Sequence, residues 1–391
     1  MRFTLIRESP LPGPVELEAA MNVLFLSNEH RTEPLTAYTH RLSRLMAALE
    51  EEGVETDFIS LREHGIGRPI LAQPLAFPFI RRRLAAADFI HAGGNAGYTA
   101  GLLRAYPRAR IVQDIHGDSV SEAKLKWSER RDAIRGYWVA QALIADAVTY
   151  RLGDFFTVVS ERLRAKLIEE RGISPERIGI VRNGVDLDLF LPRTTSASAD
   201  FVIGYAGGFQ DWQGIENLVR AGELLEDRSI RLAIIGFGRR DDAFRSQLAN
   251  RLGDRVDLVD RVPQAELATH LARVNALIIP RPRHAAVEAA FPTKFSEYLA
   301  VGKPVIVCDV DETAALVRRH ECGLVAQPTP RSIADTITIA SRLPAEELDR
   351  MGRNARRLAE RDFSWREIGR RYAALLAGWT AAVPEAGVQA R

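Results

Sequence analysis

The sequence predicts an α/β protein made of two doubly wound parallel sheets that face a central cleft. Short apolar runs alternate with helix-length segments from residue 21 onward, which is the pattern of parallel strands covered by helices. The alternation breaks once, at Asn183-Gly184, Pro192 and a polar run, and then resumes. A chain of 391 residues is long enough for two such domains, each with its own core.

The first domain is expected to span residues 21–192. Its strands are the short runs dense in Val, Ile, Leu and Phe, and its helices are the longer segments between them. Strands are predicted near Val23–Ser27, Glu55–Ser60, Phe89–His91, Arg110–Ile115, Phe155–Ser160 and Ile178–Val181. Helices are predicted near Leu35–Glu52, Ala96–Ala105, Ser121–Arg151 and Glu161–Arg171.

The second domain is expected to span residues 201–362, after a polar linker at 193–200. Strands are predicted near Phe201–Gly207, Arg231–Ile235, Arg255–Val259, Ala276–Pro280, Pro304–Cys308 and Gly323–Ala326. A helix with Pro292 in its first turn ends at Gly302, before the fifth of these strands. An Arg-rich helical tail runs from Pro344 to Gly378, and we expect residues 363–391 to cross back to the first domain.

The composition is that of an ordinary folded protein, with 46% hydrophobic and 27% charged residues. The 53 Lys and Arg against 51 Asp and Glu give a net charge of +2, which argues against a nucleic-acid partner. Cys308 and Cys322 lie in apolar contexts without metal-ligand spacing. We therefore expect both to be reduced core residues of a cytoplasmic protein.

The hydropathy pattern argues against a signal peptide and against a membrane-spanning helix. Residues 1–20 are predicted to be a polar leader, because no apolar signal-peptide core can be drawn through them. No run reaches the roughly 18 apolar residues of a spanning helix. The short basic runs Arg81–Arg83 and Lys124–Trp127 have two interpretations: peripheral contact with an anionic inner membrane surface, or solvated faces.

The most informative stretch starts at Phe291 and reads FPTKFSEYLAVGKPV. Lys294 falls in the first turn of the predicted helix, where its charge opposes the helix dipole. A bound phosphate would turn this unfavourable interaction into a favourable one, because the free N–H groups of the first turn, the helix dipole and Lys294 would all face one anion. Glu297 shares the face and can accept hydrogen bonds from ribose hydroxyls. The alternative interpretation is an exposed Lys–Glu pair.

Several short motifs follow one another along the chain: TVVS at 157–160, IVRNGVDLDLF at 180–190, YAGG at 205–208, IIGFG at 234–238, VPQAEL at 262–267, the stretch 292–304 and FSW at 363–365. In their order and spacing they resemble the retaining GT-B glycosyltransferases of family four, which include glycogen and sucrose synthases and bacterial mannosyltransferases. That resemblance implies two Rossmann-like domains. It also implies an acceptor site in the first domain and a nucleotide-diphosphate sugar in the second, with metal-independent, cofactor-free transfer.

The resemblance assigns Glu297 to the second glutamate of the family's paired-glutamate motif, the one that holds the ribose. The first glutamate is expected eight positions earlier, where this chain has Ala289. Glu288 is one position away. We predict either that the loop lets Glu288 reach the donor sugar in a catalytic role, or that backbone groups take over this role.

The expected phosphate clamp also departs from the family. Members usually have an Arg and then Lys-Gly after the first strand of the second domain, whereas this chain has Gln210 and Gln213 near those positions. Glutamine donates a hydrogen bond to a phosphate but does not neutralise it. The remaining candidates for the diphosphate are Lys294 as a catalytic group, Arg281 or Arg283, and the N–H groups of Gly207 and Gly208.

Three further residues are donor-site candidates. Gly236 belongs to a Gly-Phe-Gly turn that lacks the third glycine of a nicotinamide fingerprint. The resemblance places this turn near the donor, and it implies that the backbone around Val262 faces the base. Thr293 lies in the first turn of the helix that carries Lys294.

In the first domain, His116 follows a buried strand and precedes Gly117, which places it to enter the cleft. The family has a functional histidine at the matching position, so we expect His116 to contact the transferred sugar or its phosphate. The loop after the first strand lacks the Gly-Gly of many relatives. Asn28 and Arg31 in that loop are the candidates for acceptor contacts.

The sequence thus favours transfer of a sugar from a nucleotide-diphosphate donor to an unidentified acceptor hydroxyl, with retention. No Asp-x-Asp metal motif lies in a plausible donor loop, since Asp186-Leu-Asp188 belongs to the domain boundary. Two alternatives remain open: a noncatalytic subunit that binds a nucleotide sugar or a glycan, and a sugar-nucleotide epimerase of the same fold.

Overall fold

The computed structural model describes residues 21–29, 37–63, 77–93, 96–97, 100, 109–126, 132–193 and 200–382. The predicted leader, Arg31, Trp127, the side chain of Arg81 and most of the Ala96–Ala105 helix lie outside these residues. Within them the chain forms two parallel six-stranded sheets with helices packed against them. The predicted α/β class with two doubly wound domains is confirmed.

The first sheet has the strand order β2-β1-β3-β4-β5-β6. Its strands are β1 (Asn22–Ser27), β2 (Glu55–Ser60), β3 (Phe89–Gly93), β4 (Arg110–Ile115), β5 (Phe155–Val158) and β6 (Ile178–Ile180). The helices of this half are α1 (Ala37–Glu50), α2 (Phe77–Ala86), α3 (Ser119–Lys126), α4 (Asp132–Leu152) and α5 (Glu161–Arg171). The strand order reverses at β1 and β3, so their carboxyl ends border the crevice where open α/β sheets bind ligands.

The second sheet has the order β12-β11-β10-β7-β8-β9. Its strands are β7 (Phe201–Ala206), β8 (Ile230–Phe237), β9 (Val256–Asp260), β10 (Ala276–Ile279), β11 (Val305–Cys308) and β12 (Gly323–Ala326). The helices are α6 (Ile215–Leu224), α7 (Asp242–Leu252), α8 (Gln264–Ala272), α9 (Ala285–Ala289), α10 (Thr293–Ala300), α11 (Glu312–His320), α12 (Pro330–Ser341) and α13 (Ala345–Leu358). Here the order reverses between β7 and β10.

The final helix, α14 (Trp365–Ala382), packs on the first sheet. Tyr372 is fully buried there, and its hydroxyl lies 2.7 Å from Nδ1 of His91 in β3. The ring of Trp379 stacks on Phe155 with centroids 4.6 Å apart. Helix α14 therefore packs on the first domain and helps to complete its core.

The two halves touch along the start of α5. Ser160 caps that helix by accepting the N–H of Leu163 at 3.1 Å, and its hydroxyl donates to the carbonyl of Ala289 in the second half. The carboxylate of Glu312 accepts the N–H of Glu161 at 2.6 Å and also pairs with Arg182. These contacts hold α9 and α11 against the first domain.

Several element boundaries differ from the prediction. The single helix expected over Ser121–Arg151 is two helices, α3 and α4. The strand at Phe155 ends at Val158, because Ser160 turns to cap α5. Pro292 is the N-cap of α10 and does not lie in its first turn. α2 was not predicted at all.

Among the described residues, no helix combines the length and the hydropathy that crossing a membrane requires.

Candidate active site

The crevice of the second sheet lies where β7 and β10 run side by side. The chain leaves β7 through Gly207 and Gly208, and it leaves β10 through Pro280 and Arg281. The two loops touch: Gly214 has a φ of 75°, and a Cβ there would overlap the carbonyl of Pro280. Groups that follow two separate strands are thereby brought to one place.

Helix α10 delivers Lys294 to this crevice. Tyr298, one turn further along, is fully buried and fixes the helix, because the N–H of Ala206 at the end of β7 donates to its hydroxyl at 2.7 Å. The Nζ atom of Lys294 lies 4.1 Å from the centroid of the Tyr205 ring. It also lies beside Gly207, where a Cβ would come within 2.6 Å of it. Lys294 and Gly207, both predicted from the sequence to contact the diphosphate, therefore lie side by side.

Lys294 is a buried cation without a hydrogen-bonding partner for Nζ in the described part of the chain. Burial lowers the pKa of its ammonium to about 7, and the positive charge of Arg281 acts in the same direction. An exposed Lys–Glu pair, the alternative interpretation of this helix, is therefore wrong for Lys294, which is only 8% exposed.

Arg281 is the second buried cation of the crevice. It is 5% exposed, pairs with Asp311 at 2.8 Å and donates to the carbonyl of Ala290 at 3.2 Å. Its Nε finds no partner within the described residues. Arg283, the other candidate, has a side chain 57% exposed and donates to the carbonyl of Asp309. The structure therefore selects Arg281 over Arg283 as the buried cation near Lys294, a choice that the sequence left open.

Glu297 lies on α10 one turn after Lys294 and is partly buried. Burial raises the pKa of its carboxyl to about 7, and the charge of Lys294 opposes that rise. Thr293, the first residue of the helix, is exposed.

Glu288, the displaced first glutamate, lies on the short helix α9 and is engaged elsewhere. Its carboxylate forms an ion pair with Arg162 of α5, across the boundary between the halves, and lies 3.8 Å from Arg283. A contact with the donor sugar stays a prediction and would require that ion pair to open.

Two glycines pack against each other above the second sheet. Gly207 has a φ of 140° and Gly236 a φ of 131°, a region that side chains other than glycine rarely adopt. A Cβ on Gly236 would lie 2.5 Å from the carbonyl oxygen of Gly207. The turn after β7 and the end of β8 therefore approach as closely as backbone allows, and the N–H of Gly207 donates to the carbonyl of Ile235 at 3.1 Å.

The other predicted donor-site residues are distributed around this turn. The amide of Gln210 lies against Gly208, and Gln210 itself is exposed. Gln213 is partly buried at the end of a single short turn. The side chain of Val262 is partly buried and packs against the core.

The first domain contributes a polar network centred on Asp114 at the end of β4. Its carboxylate is fully buried, and it pairs with Arg41 of α1 at 3.3 Å and accepts the Thr157 hydroxyl at 2.8 Å. His116 reaches it through Nε2 at 2.6 Å while keeping 31% of its side chain exposed. The positive charge of Arg41 holds the pKa of Asp114 well below its usual range, although burial acts against it.

This network extends to the C-terminal helix. Nε2 of His91 lies 3.3 Å from Asp114, and Nδ1 of His91 contacts the hydroxyl of Tyr372 in α14. Burial lowers the pKa of His91, so its ring is neutral near pH 7. A continuous path of polar contacts therefore joins the cleft histidine to the last helix.

Glu122 on α3 is a further ionisable group near the His116 loop. Its side chain keeps contact with solvent. Desolvation of its carboxyl by nearby protein raises the pKa to about 7, and the negative charges of Asp118 and Asp146 act in the same direction. Arg281 of the second domain acts on it in the opposite direction. Helix α3 also packs on α9 of the second domain, so Glu122 lies where the two halves meet.

The acceptor-side candidates are described only in part. Asn28 follows β1, and both polar atoms of its side-chain amide are enclosed without a hydrogen-bonding partner in the described part of the chain. Arg31 lies outside the described residues.

Three residues of this site, Asp114, Arg41 and Glu122, are given no role by sequence reasoning. Asp114 shares a strand face with His116, which the alternation of β4 shows, but its partners come from distant segments. Arg41 sits among the apolar residues of α1, and no local pattern marks it. Glu122 looks like an ordinary exposed helix residue, and only the packing of α3 on α9 sets it apart.

Comparisons with known proteins agree with this geometry. A family model described as Glycosyltransferase Family 4 matches residues 35–189, and one described as Glycosyl transferases group 1 matches residues 190–358. The chain is 27% identical over 296 residues to WcaL of Escherichia coli K12, named as a colanic acid biosynthesis glycosyltransferase, covering 74% of this chain and 70% of that protein. It is 26% identical over 340 residues to the D-inositol 3-phosphate glycosyltransferase of Corynebacterium efficiens, covering 80% and 76%.

Solved structures share the fold. The sucrose-phosphate synthase of Thermosynechococcus elongatus superposes with a TM-score of 0.75 at 20% identity, covering 93% of this chain and 100% of that one. Anabaena HepE in complex with UDP superposes with a TM-score of 0.67 at 18% identity, covering 91% and 100%. At such identities these structures support the architecture alone.

Proposed function

Because this chain belongs to the family-four GT-B glycosyltransferases, we propose that it transfers a sugar from a nucleoside-diphosphate donor to an acceptor hydroxyl and retains the configuration of the anomeric carbon. The second domain would bind the donor, and the first would bind the acceptor.

The observation that carries this proposal is the pair of buried cations at the carboxyl ends of β7 and β10. Lys294 has no partner for Nζ, and Arg281 has none for Nε, within the described residues. Asp311 already pairs with Arg281, so Lys294 is the buried cation without an ion pair in the described part of the chain, and an anion beside it would offset the cost of burying its charge. A diphosphate placed at the turn of Gly207 would meet both cations and the start of α10.

The bond changes of the transfer can be stated in full. The bond between the anomeric carbon and the β-phosphate oxygen breaks, and a bond from the acceptor oxygen to that carbon forms on the same face of the sugar. The proton of the acceptor hydroxyl passes to the departing phosphate oxygen. Lys294 and Arg281 would stabilise the negative charge that develops on the diphosphate.

His116 would hold the transferred sugar. An ionised carboxylate only accepts hydrogen bonds, so the bond to Asp114 places the proton of His116 on Nε2 and leaves Nδ1 as an acceptor for a sugar hydroxyl. Tyr38 meets the imidazole edge-on at 5.2 Å, which further restricts the ring.

The remaining residues would take the roles that their positions allow. Glu297 would accept the ribose hydroxyls, and the backbone at Gly236 and Val262 would border the base. Thr293, Gly208, Gln210 and Gln213 would donate hydrogen bonds near the diphosphate. Asn28, with its unpartnered amide, and Arg31 would contact the acceptor.

The positive charge at the diphosphate would come from Lys294 and Arg281, so we propose that transfer needs neither a metal ion nor a cofactor. Activity that persists in excess EDTA would support this, and activity that returns only on addition of Mg²⁺ or Mn²⁺ would overturn it.

A panel of UDP-, GDP- and ADP-sugars tests the function. UDP-sugars come first, because a structural neighbour, Anabaena HepE, was solved with UDP and with UDP-glucose. The acceptor panel includes inositol phosphate, which the name of one relative suggests, together with lipid-linked glycans. Acceptor-dependent release of nucleoside diphosphate supports the proposal.

Two other outcomes would contradict it. Tight binding of a nucleotide sugar without turnover on any acceptor would indicate a noncatalytic binding subunit. Interconversion of free sugar nucleotides would indicate an epimerase.

A further inference from the structure

The outward face of helix α4 is unusually apolar. Among the described residues, seven large apolar side chains are markedly exposed, and four of them lie on this one helix. They are Ile134 at 43%, Tyr137 at 53%, Leu143 at 52% and Ile144 at 53%. Exposed apolar residues are normal when scattered singly, so their concentration on one helix is the informative feature.

The helical period aligns most of these side chains. Tyr137, Ala140, Leu143, Ile144 and Ala147 fall along one side of three successive turns, and all are exposed. Asp146 is the one acidic residue between Arg135 and Arg151, and it turns inward to accept from Ser119 and to pair with Arg171. The usual arrangement, with apolar residues inside and charged residues outside, is therefore inverted.

Basic residues border this face. Helix α3, which packs on α4, exposes Lys124 and Lys126, and Arg151 is exposed at the end of α4, whereas Arg135 pairs with Asp132. In the sequence, residues 124–135 contain five Lys or Arg against Glu129 and Asp132, although 127–131 lie outside the described residues. The face is thus apolar in the middle and positive at its borders.

We propose that the outward face of α4, together with the basic residues of α3, docks on an anionic lipid surface. Tyr137, Leu143 and Ile144 would enter the interfacial layer, where aromatic and aliphatic side chains of amphipathic helices lie. The bordering Lys and Arg side chains would meet the anionic headgroups. An apolar centre with a positive border fits such a surface better than it fits a second copy of the face, because two copies would oppose their basic borders.

Docking through this face also orients the cleft. Helix α3 starts at Ser119, three residues after His116, so the loop that carries the cleft histidine leads directly into the docking region. If the proposed transfer is correct, a lipid-anchored acceptor would be presented beside the first domain. The docking itself requires neither donor nor acceptor, so its failure and the failure of the transferase proposal are distinguishable.

Vesicle co-sedimentation of the full chain tests the proposal. We expect wild-type protein to pellet with phosphatidylglycerol-containing vesicles and much less with pure phosphatidylcholine. The double substitution Leu143→Gln/Ile144→Gln should weaken partitioning by about tenfold or more, because two large side chains no longer leave water. Lys124→Glu/Lys126→Glu should weaken it mainly at low salt.

Ile339→Gln is the matched control, since Ile339 is 55% exposed on helix α12 of the other domain. It should leave vesicle binding unchanged, and thermal unfolding should show that all variants are folded. Wild-type protein that stays in the supernatant, or equal losses for Leu143/Ile144 and Ile339 variants, would overturn the proposal. A concentration-dependent dimer that Leu143→Gln/Ile144→Gln dissociates, without vesicle binding, would assign the face to a second copy instead.

Discussion

The Nε2 atom of His116 lies 2.6 Å from a carboxylate oxygen of Asp114, which is fully buried near the carboxyl end of β4. Arg41 compensates the charge of Asp114 from the opposite side. The buried ion pair therefore fixes the orientation and the tautomer of the His116 imidazole.

Replacement of Asp114 by Asn should destabilise the protein. Arg41 would remain buried without a counter-charge, which costs about 3–5 kcal/mol in the free energy of unfolding. Urea unfolding followed by circular dichroism measures the effect. Asp57 in β2 of the same sheet forms an exposed ion pair with Arg83 of α2. The control substitution Asp57→Asn removes that pair and should cost at most about 1 kcal/mol. Equal effects in the two variants would contradict the role given to the buried pair.

Replacement of His116 by Gln should affect chemistry and leave stability intact, because the imidazole is partly exposed. We expect kcat/KM for sugar transfer to fall by about 100-fold, while the affinity for UDP changes by less than about twofold. Steady-state kinetics and calorimetry measure these two quantities. If kcat/KM is unchanged, His116 does not contact the transferred sugar.

UDP binding should weaken as the pH rises from about 7 to about 9. A bound diphosphate raises the pKa of Lys294 above its value of about 7 in the free protein, so its binding contribution is fully present below pH 7 and declines above it. Glu297, with a pKa of about 7, ionises as the pH rises above 7, which strengthens its acceptance of ribose hydroxyls and opposes the loss from Lys294.

Titration calorimetry at several pH values should show a loss of affinity of at most about tenfold per pH unit. Lys294→Arg keeps its charge throughout, so it should bind UDP with little pH dependence. A slope that persists in Lys294→Arg would assign the titration to another group.

Replacement of Gly236 by Ala should destabilise the donor side. Both the φ of 131° and the contact with the Gly207 carbonyl disfavour a Cβ. Gly253→Ala is the control, because Gly253 has a φ of 62° but nothing within 4 Å of the added Cβ. We expect the Gly253 variant to lose about 1 kcal/mol and the Gly236 variant distinctly more, together with weaker UDP binding. Thermal melts with and without UDP compare the two.

The sequence predicts the parts of this site that are local. Lys294 and Glu297 occupy one face of a helix whose limits Pro292 and Gly302 mark, and Gly207 ends a strand that composition alone identifies. The burial of Lys294 against Tyr205 is not local, because Tyr205 belongs to a strand 89 residues earlier. The choice of Arg281 over Arg283 likewise depends on Asp311, which only the fold brings near.

The same limit applies to the fold. Alternating strands and helices indicate two parallel sheets, since crossover connections require them. The two sheets differ in strand order, and the alternation of strands and helices along the sequence does not determine that order. The network of Asp114 illustrates the consequence, because His116 is local to it whereas its partners at 41, 91 and 157 come from three separate elements.

We propose that Lys294 of α10, with Arg281 beside it, neutralises the donor diphosphate, and that the β7 loop, which has Gln210 and Gln213 near the positions of the family's Arg and Lys, does not. Release of nucleoside diphosphate in the presence of acceptor, compared between wild type, Lys294→Ala and Gln213→Ala, tests this most directly. We expect kcat/KM to fall by about 100-fold or more in Lys294→Ala and by less than about tenfold in Gln213→Ala. Undiminished turnover in a folded Lys294→Ala variant would contradict it.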